Sequence, residues 1–164
     1  MMSFSALGAA HGAAAIAALG FGLFVLADRK GTSAHRALGA AYVAAMVATN
    51  GTALGIYRLT GQIGPFHLLA LISLATVARG VAAVLRRRPG WLARHYACMA
   101  WSYLGLLSAA AAEAISRAPL AARWVHNGVD GMRLGLVCVA AILLVGFFLV
   151  PRLQARALAG AAER

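Results

Sequence analysis

Five stretches of this chain, 3–27, 35–59, 65–85, 91–116 and 132–150, are mostly apolar. Each supplies the roughly 20 residues an α-helix needs to cross about 30 Å of hydrocarbon. Lipid offers the backbone no hydrogen-bond partners, so segments of this kind satisfy themselves as helices. Helix breakers and charge fall between them. Asp28-Arg29-Lys30-Gly31 closes the first stretch, Gly61 and Gly64-Pro65 separate the second from the third, and Arg86-Arg87-Arg88-Pro89-Gly90 separates the third from the fourth. Pro119 and Gly128–Gly131 bracket the longest loop, and Pro151 reads as the end of the fifth span, leaving Arg152–Arg164 as a short, frayed, partly basic tail. The expectation is an all-α polytopic membrane protein, one domain over residues 1–164, built as a bundle of five transmembrane helices.

Composition excludes the main alternatives. Apolar residues make up 62% of the chain and charged residues 12%, against about 45–50% and about 25% in soluble domains. A cytosolic globular enzyme, a disordered chain and a secreted disulfide scaffold are therefore set aside. Cys98 and Cys138 lie inside apolar blocks, and no CxxC motif occurs. The net charge of +11 sits in short segments between apolar blocks. No aromatic stacking platform accompanies it, so it reads as topology signal and contact with anionic headgroups, not as a nucleic-acid surface. With the N-terminus outside, only Arg58, Arg117, Arg123 and Arg133 of the fifteen Lys and Arg fall on the outer side. That bias predicts N-out, C-in. The first span has no basic residue before it and is too long for a signal-peptide core. Small-xxx-small pairs at Gly8/Gly12, Gly51/Gly55 and Gly131/Gly135 would let helices approach closely.

Ionisable residues within spans are costly and mark candidate function. The histidines fall into two layers. His35 and His95 begin the second and fourth helices at the inner side; His11 and His67 lie in the outer halves of the first and third, and His126 lies in the outer loop. Two imidazoles facing each other across a bundle are the axial ligand set of a b-type haem. Arg36 follows His35 and Arg94 precedes His95, placing guanidinium groups where haem propionates need partners. Gly39, Ala40, Ala97 and Ala100 would leave room for a flat macrocycle. The sequence thus suggests haem b on His35/His95, with a second on His11/His67.

Two other readings compete. A copper or zinc site without porphyrin would draw on His11, His67, His126 and Glu113, or, for copper(I), on His95, Cys98 and Met99 at i, i+3 and i+4 of one helix. Alternatively the histidines satisfy helix ends, Cys98 and Met99 pack, Glu113 pairs with Arg117 at i+4, and Arg79 snorkels to the headgroups. The chain would then be an accessory subunit of a larger complex. A homo-oligomer is equally open, and no phosphate loop, nucleophile elbow or HExxH motif occurs.

The pattern His35-Arg36-Ala37-Leu38-Gly39-x-x-Tyr42-Val43, then Phe66-His67, His95-x-x-x-Met99-x-x-Ser102-Tyr103 and Glu113-x-x-x-Arg117 resembles a family of small prokaryotic membrane proteins known only as a domain of unknown function. The resemblance runs from His35 to Arg117 and implies a multi-helix bundle in a bacterial inner membrane. In architecture the chain is also similar to membrane cytochromes b with two haem layers, although each span histidine here is alone on its helix. On that similarity the protein would pass electrons between a quinone or small reductant and a partner protein.

Overall fold

A computed structural model describes residues 6–56, 63–117 and 128–162. They form five helices: α1 (Ala6–Ala27), α2 (Ser33–Ala53), α3 (Pro65–Arg86), α4 (Trp91–Arg117) and α5 (Gly128–Ala162). The chain divides into two compact units, Met1–Leu74 and Ala75–Arg164, with the division inside α3.

In the first unit α1 and α2 pack antiparallel, since Leu7 and His11 near the start of α1 meet Gly55, Thr49 and Thr52 near the end of α2. The connection is short because it caps both helices. Lys30 Nζ donates to the carbonyls of Val25, Leu26 and Asp28, satisfying the last turn of α1. Burial lowers the Lys30 pKa from its usual 10.5, and the neighbouring Asp28 carboxylate works against that shift. Thr32 is the N-cap of α2, its hydroxyl accepting from the His35 backbone N–H at 3.0 Å. The buried stripe of α2 is Tyr42, Met46, Thr49 and Asn50, which recur at helical spacing on one face. Its polar members are satisfied locally: Thr49 Oγ1 donates to Ala45 O and Asn50 Nδ2 to Met46 O, both at 2.8 Å.

In the second unit α3 turns back onto α4 at Arg87–Gly90, and α4 runs antiparallel to α5. Gln154 Nε2 donates to Ala93 O at 2.9 Å, and Gly146 lies against Trp101 and Leu104. The interior is small and hydroxylated. Ser102 is 2% exposed and Ser108 1%, each donating to a carbonyl three residues back. Ala83, Cys98 and Ala112 are buried beside them. Val77, Leu106, Val139 and Val150 are buried as well, but many large side chains point the other way: Phe147 is 64% exposed and Leu144 61%. In the first unit Leu23 and Phe24 are exposed while Ala18 is buried. In water this distribution would be unfavourable; in lipid it is what packing produces, because tails are as apolar as leucine and only close backbone approach is gained by burial.

Several sequence expectations change. Four helices, α1, α3, α4 and α5, are long and apolar enough to cross a membrane. α2 is formed but falls outside that set, because Arg36, Thr49, Asn50 and Thr52 dilute its apolar content. It also ends at Ala53, short of residue 59. The fifth helix does not stop at Pro151: α5 continues to Ala162, so the tail is helical and not a frayed end. Proline removes one backbone N–H and crowds the carbonyl four residues earlier, which a helix tolerates when freed carbonyls find other donors. That carbonyl is Phe147 O; one residue further on, the Arg152 guanidinium donates to Phe148 O at 3.3 Å. The close-packing glycines differ as well. A Cβ on Gly12 or Gly51 would meet nothing within 4 Å, but one on Gly55 would lie 3.0 Å from Leu7 of α1, and one on Gly80 or Gly146 would collide with the neighbouring helix.

Candidate functional site

The histidines divide by which ring nitrogen is engaged. His95, in the first turns of α4, sets Nδ1 3.0 Å from the carbonyl oxygen of Gly80 on α3. A carbonyl can only accept, so Nδ1 carries the proton and Nε2 is left with its lone pair. His11 does the same in the other unit, with Nδ1 3.0 Å from Thr49 O and 3.1 Å from Thr52 Oγ1. The Thr52 hydroxyl proton already goes to Ala48 O at 2.7 Å, so its oxygen faces His11 as an acceptor. His67 is arranged oppositely. Its Nδ1 accepts the Gly64 N–H at 3.0 Å, tying the side chain to the start of α3. In the neutral ring the proton then sits on Nε2, which becomes a donor.

The local sequence explains these contacts. Gly80 has no side chain, so α3 and α4 come close enough for its carbonyl to reach His95; the Cys98 Cβ would lie 3.0 Å from a Cβ at this position, and Met99 Cε would be overlapped. His95, Cys98 and Met99 therefore converge on one glycine of the facing helix. The cysteine and methionine act there as packing.

His35 starts α2, and its Nδ1 is shielded from solvent. Thr49, whose carbonyl holds His11, lies 14 residues further on, about 21 Å along the axis at 1.5 Å per residue. His11 and His35 thus occupy opposite ends of the α1–α2 pair. His95 belongs to the other unit. Arg36 donates to Gly31 O at 2.9 Å. Arg94 is exposed and lines a cleft of about 220 Å³ with Arg79, Ala82, Ala83, Arg86 and Arg88. Glu113 is exposed on α4, and His126 lies outside the described residues. Among the described residues no group of three or more His, Cys, Asp or Glu side chains is gathered as a metal site would require.

Sequence reasoning missed Thr49 and Thr52 as the partners of His11, Gly80 as the partner of His95, and the gathering of four arginines. Only the last left a readable signal, since Arg79 and Arg86 are seven residues apart on one helix face.

Helices with small, hydroxylated interiors, bulky aliphatic exteriors and enough apolar length to cross a bilayer define a multi-pass membrane protein. The chain belongs to the DUF2306 family, described as predicted membrane proteins, whose model matches residues 8–150. That match extends well beyond the His35–Arg117 segment and takes in the first and last spanning helices. Neither a curated protein nor a solved structure matches the chain.

Proposed function

We propose that this protein is a five-span haem b protein of a bacterial inner membrane, N-terminus outside and C-terminus inside. In it His95 and His35, paired by the sequence pattern, would hold the haem, and Arg94 and Arg36 would partner its propionates. Bound haem would supply one-electron chemistry, passing electrons between a quinone or small reductant and a partner protein. The observation that carries the reading is the bond from His95 Nδ1 to the Gly80 carbonyl. Ligating histidines hold their second ring nitrogen against a carbonyl or carboxylate in this way, which fixes ring and tautomer and would leave the Nε2 lone pair for a metal. His11 meets the same condition through Thr49. His67, with Nδ1 accepting from Gly64, does not, so a second haem on His11/His67 has less support.

α2 serves as the fifth span. Its 21 residues reach about 31 Å, and Thr49, Asn50 and Thr52 each bond a carbonyl one turn back, which suits a polar stripe to a bundle interior.

The test is the absorption spectrum of the detergent-purified, full-length protein from haem-replete cells, air-oxidised and then dithionite-reduced. The reading expects a Soret band that shifts on reduction and sharp low-spin α and β bands. His95→Gly should abolish the low-spin bands, and added imidazole should restore them. A colourless wild-type protein overturns the proposal.

A further inference from the structure

We propose that the cleft between the end of α3 and the start of α4 binds the phosphate headgroup of an anionic phospholipid. Arg79, Ala82, Ala83 and Arg86 stand at i, i+3, i+4 and i+7 of α3, so they share one face. The two alanines leave an open floor between two arginine positions about 10 Å apart along the helix axis. Arg88 closes the cleft from the turn and Arg94 from the first turn of α4. The turn sorts its own arginines. Arg87 adopts a left-handed φ of 44°, with Gly90 at 74°, and its guanidinium stacks 5.7 Å over the Trp91 ring. Arg87 is thereby used on the indole, and its neighbour Arg88 lines the cleft.

No carboxylate lines the cleft. Within this unit the described acids are remote. Glu113 is 19 residues beyond Arg94, about 28 Å along α4. Asp130 begins the antiparallel α5 at that same far end and is paired with Arg133 at 3.9 Å. Four cations with no described carboxylate among them repel one another and raise the local concentration of anions. The planar fork of arginine matches phosphate oxygens two at a time, so the favoured anion is a phosphate ester. Position selects a lipid as its source. The cleft stands at the terminus of a helix apolar enough to cross the bilayer, the level at which hydrocarbon gives way to headgroups. Leu85, 78% exposed, and Leu92, 40% exposed, flank it as a surface for acyl chains. Basic pockets of this kind between spanning helices hold acidic headgroups.

Native mass spectrometry of the full-length protein in neutral detergent, titrated with dioleoylphosphatidylglycerol, tests this. The double variant Arg86→Gln/Arg88→Gln should bind that lipid about 25-fold more weakly, from the surface contribution of each arginine. Arg152→Gln/Arg156→Gln loses the same charge from α5 outside the cleft and should keep wild-type affinity. Equal weakening in both variants overturns the proposal, as does equal binding of dioleoylphosphatidylcholine. Inorganic phosphate that displaces the lipid at equal phosphate concentration overturns the lipid source. Should the cleft variant fail to fold, Arg88→Gln in the exposed turn replaces it, with about fivefold weakening expected on the same basis. Arg94 lines the cleft and is also proposed for a propionate; it is unchanged in every variant, as are His35, His95 and Arg36, so a lost haem spectrum and lost lipid binding remain distinguishable.

Discussion

Replacing Gly80 with alanine tests the close approach of α3 to α4 most directly. In an open helix, Gly→Ala gains about 1 kcal/mol of helix propensity. At Gly80 the added Cβ would overlap Met99 Cε and lie 3.0 Å from Cys98 Cβ. The methionine tip can swing aside. The cysteine Cβ is fixed to the α4 backbone, so the helices must separate by a few tenths of an ångström, at the ~1–3 kcal/mol typical of overpacking. Separation also stretches the His95–Gly80 bond, already at 3.0 Å. Gly105, on α4 in the same unit, is the control: a Cβ added there would meet nothing within 4 Å, so its substitution isolates the propensity gain. The two variants should therefore differ by about 2 kcal/mol, Gly105→Ala melting above wild type and Gly80→Ala below it. For a chain of this size, that difference corresponds to roughly 4–8 °C in the midpoint of a detergent melt. Equal midpoints for the two variants would refute the close-approach argument.

Two further outcomes follow from the first unit. His11→Ala should cost about 1–2 kcal/mol in the same melt by removing the donor to Thr49 O and Thr52 Oγ1, and Thr52→Val less, about 0.5–1 kcal/mol, because Thr49 O remains as acceptor; equal losses would show that the hydroxyl, not the carbonyl, holds the ring. Because burial lowers the Lys30 pKa, the unfolded chain binds the proton more tightly than the folded one, so stability contributed at this site rises as pH climbs through the lowered value toward 10.5. Lys30→Arg, which stays charged, should flatten that rise in a pH series of melts, and a persisting slope would assign it to another group.

The helical class was legible in the sequence because apolar length and breaker residues are backbone-level signals. Four spans follow from them at once. α2 was harder: its apolar count is diluted by side chains whose polarity is answered only within the folded helix, as when Asn50 returns its amide to Met46. Pro151 misled because a proline reads as a stop, yet it removes only one backbone donor and α5 continues past it to Ala162. At the histidines, residue type and depth were visible but ring orientation was not. The same imidazole is a carbonyl-bound donor at His95 and a backbone-bound acceptor at His67, and the difference depends on which backbone group approaches. Gly80 was one glycine among 18; only the facing Cys98 and Met99 give it meaning.

The reversed distribution of bulk has a consequence for how this chain tolerates change. In a soluble domain the exterior accepts most substitutions and large interior side chains are the vulnerable ones. Here Leu144 and Leu23 can be exchanged among large aliphatic and aromatic residues at little cost, since each is largely exposed to the apolar surroundings. The vulnerable positions include the smallest ones: a methyl group added at Ala18, Ser108 or Ala112 enters a closed interior. A saturation library should therefore sort by size and not by polarity, with alanine and serine the least replaceable letters and leucine the most.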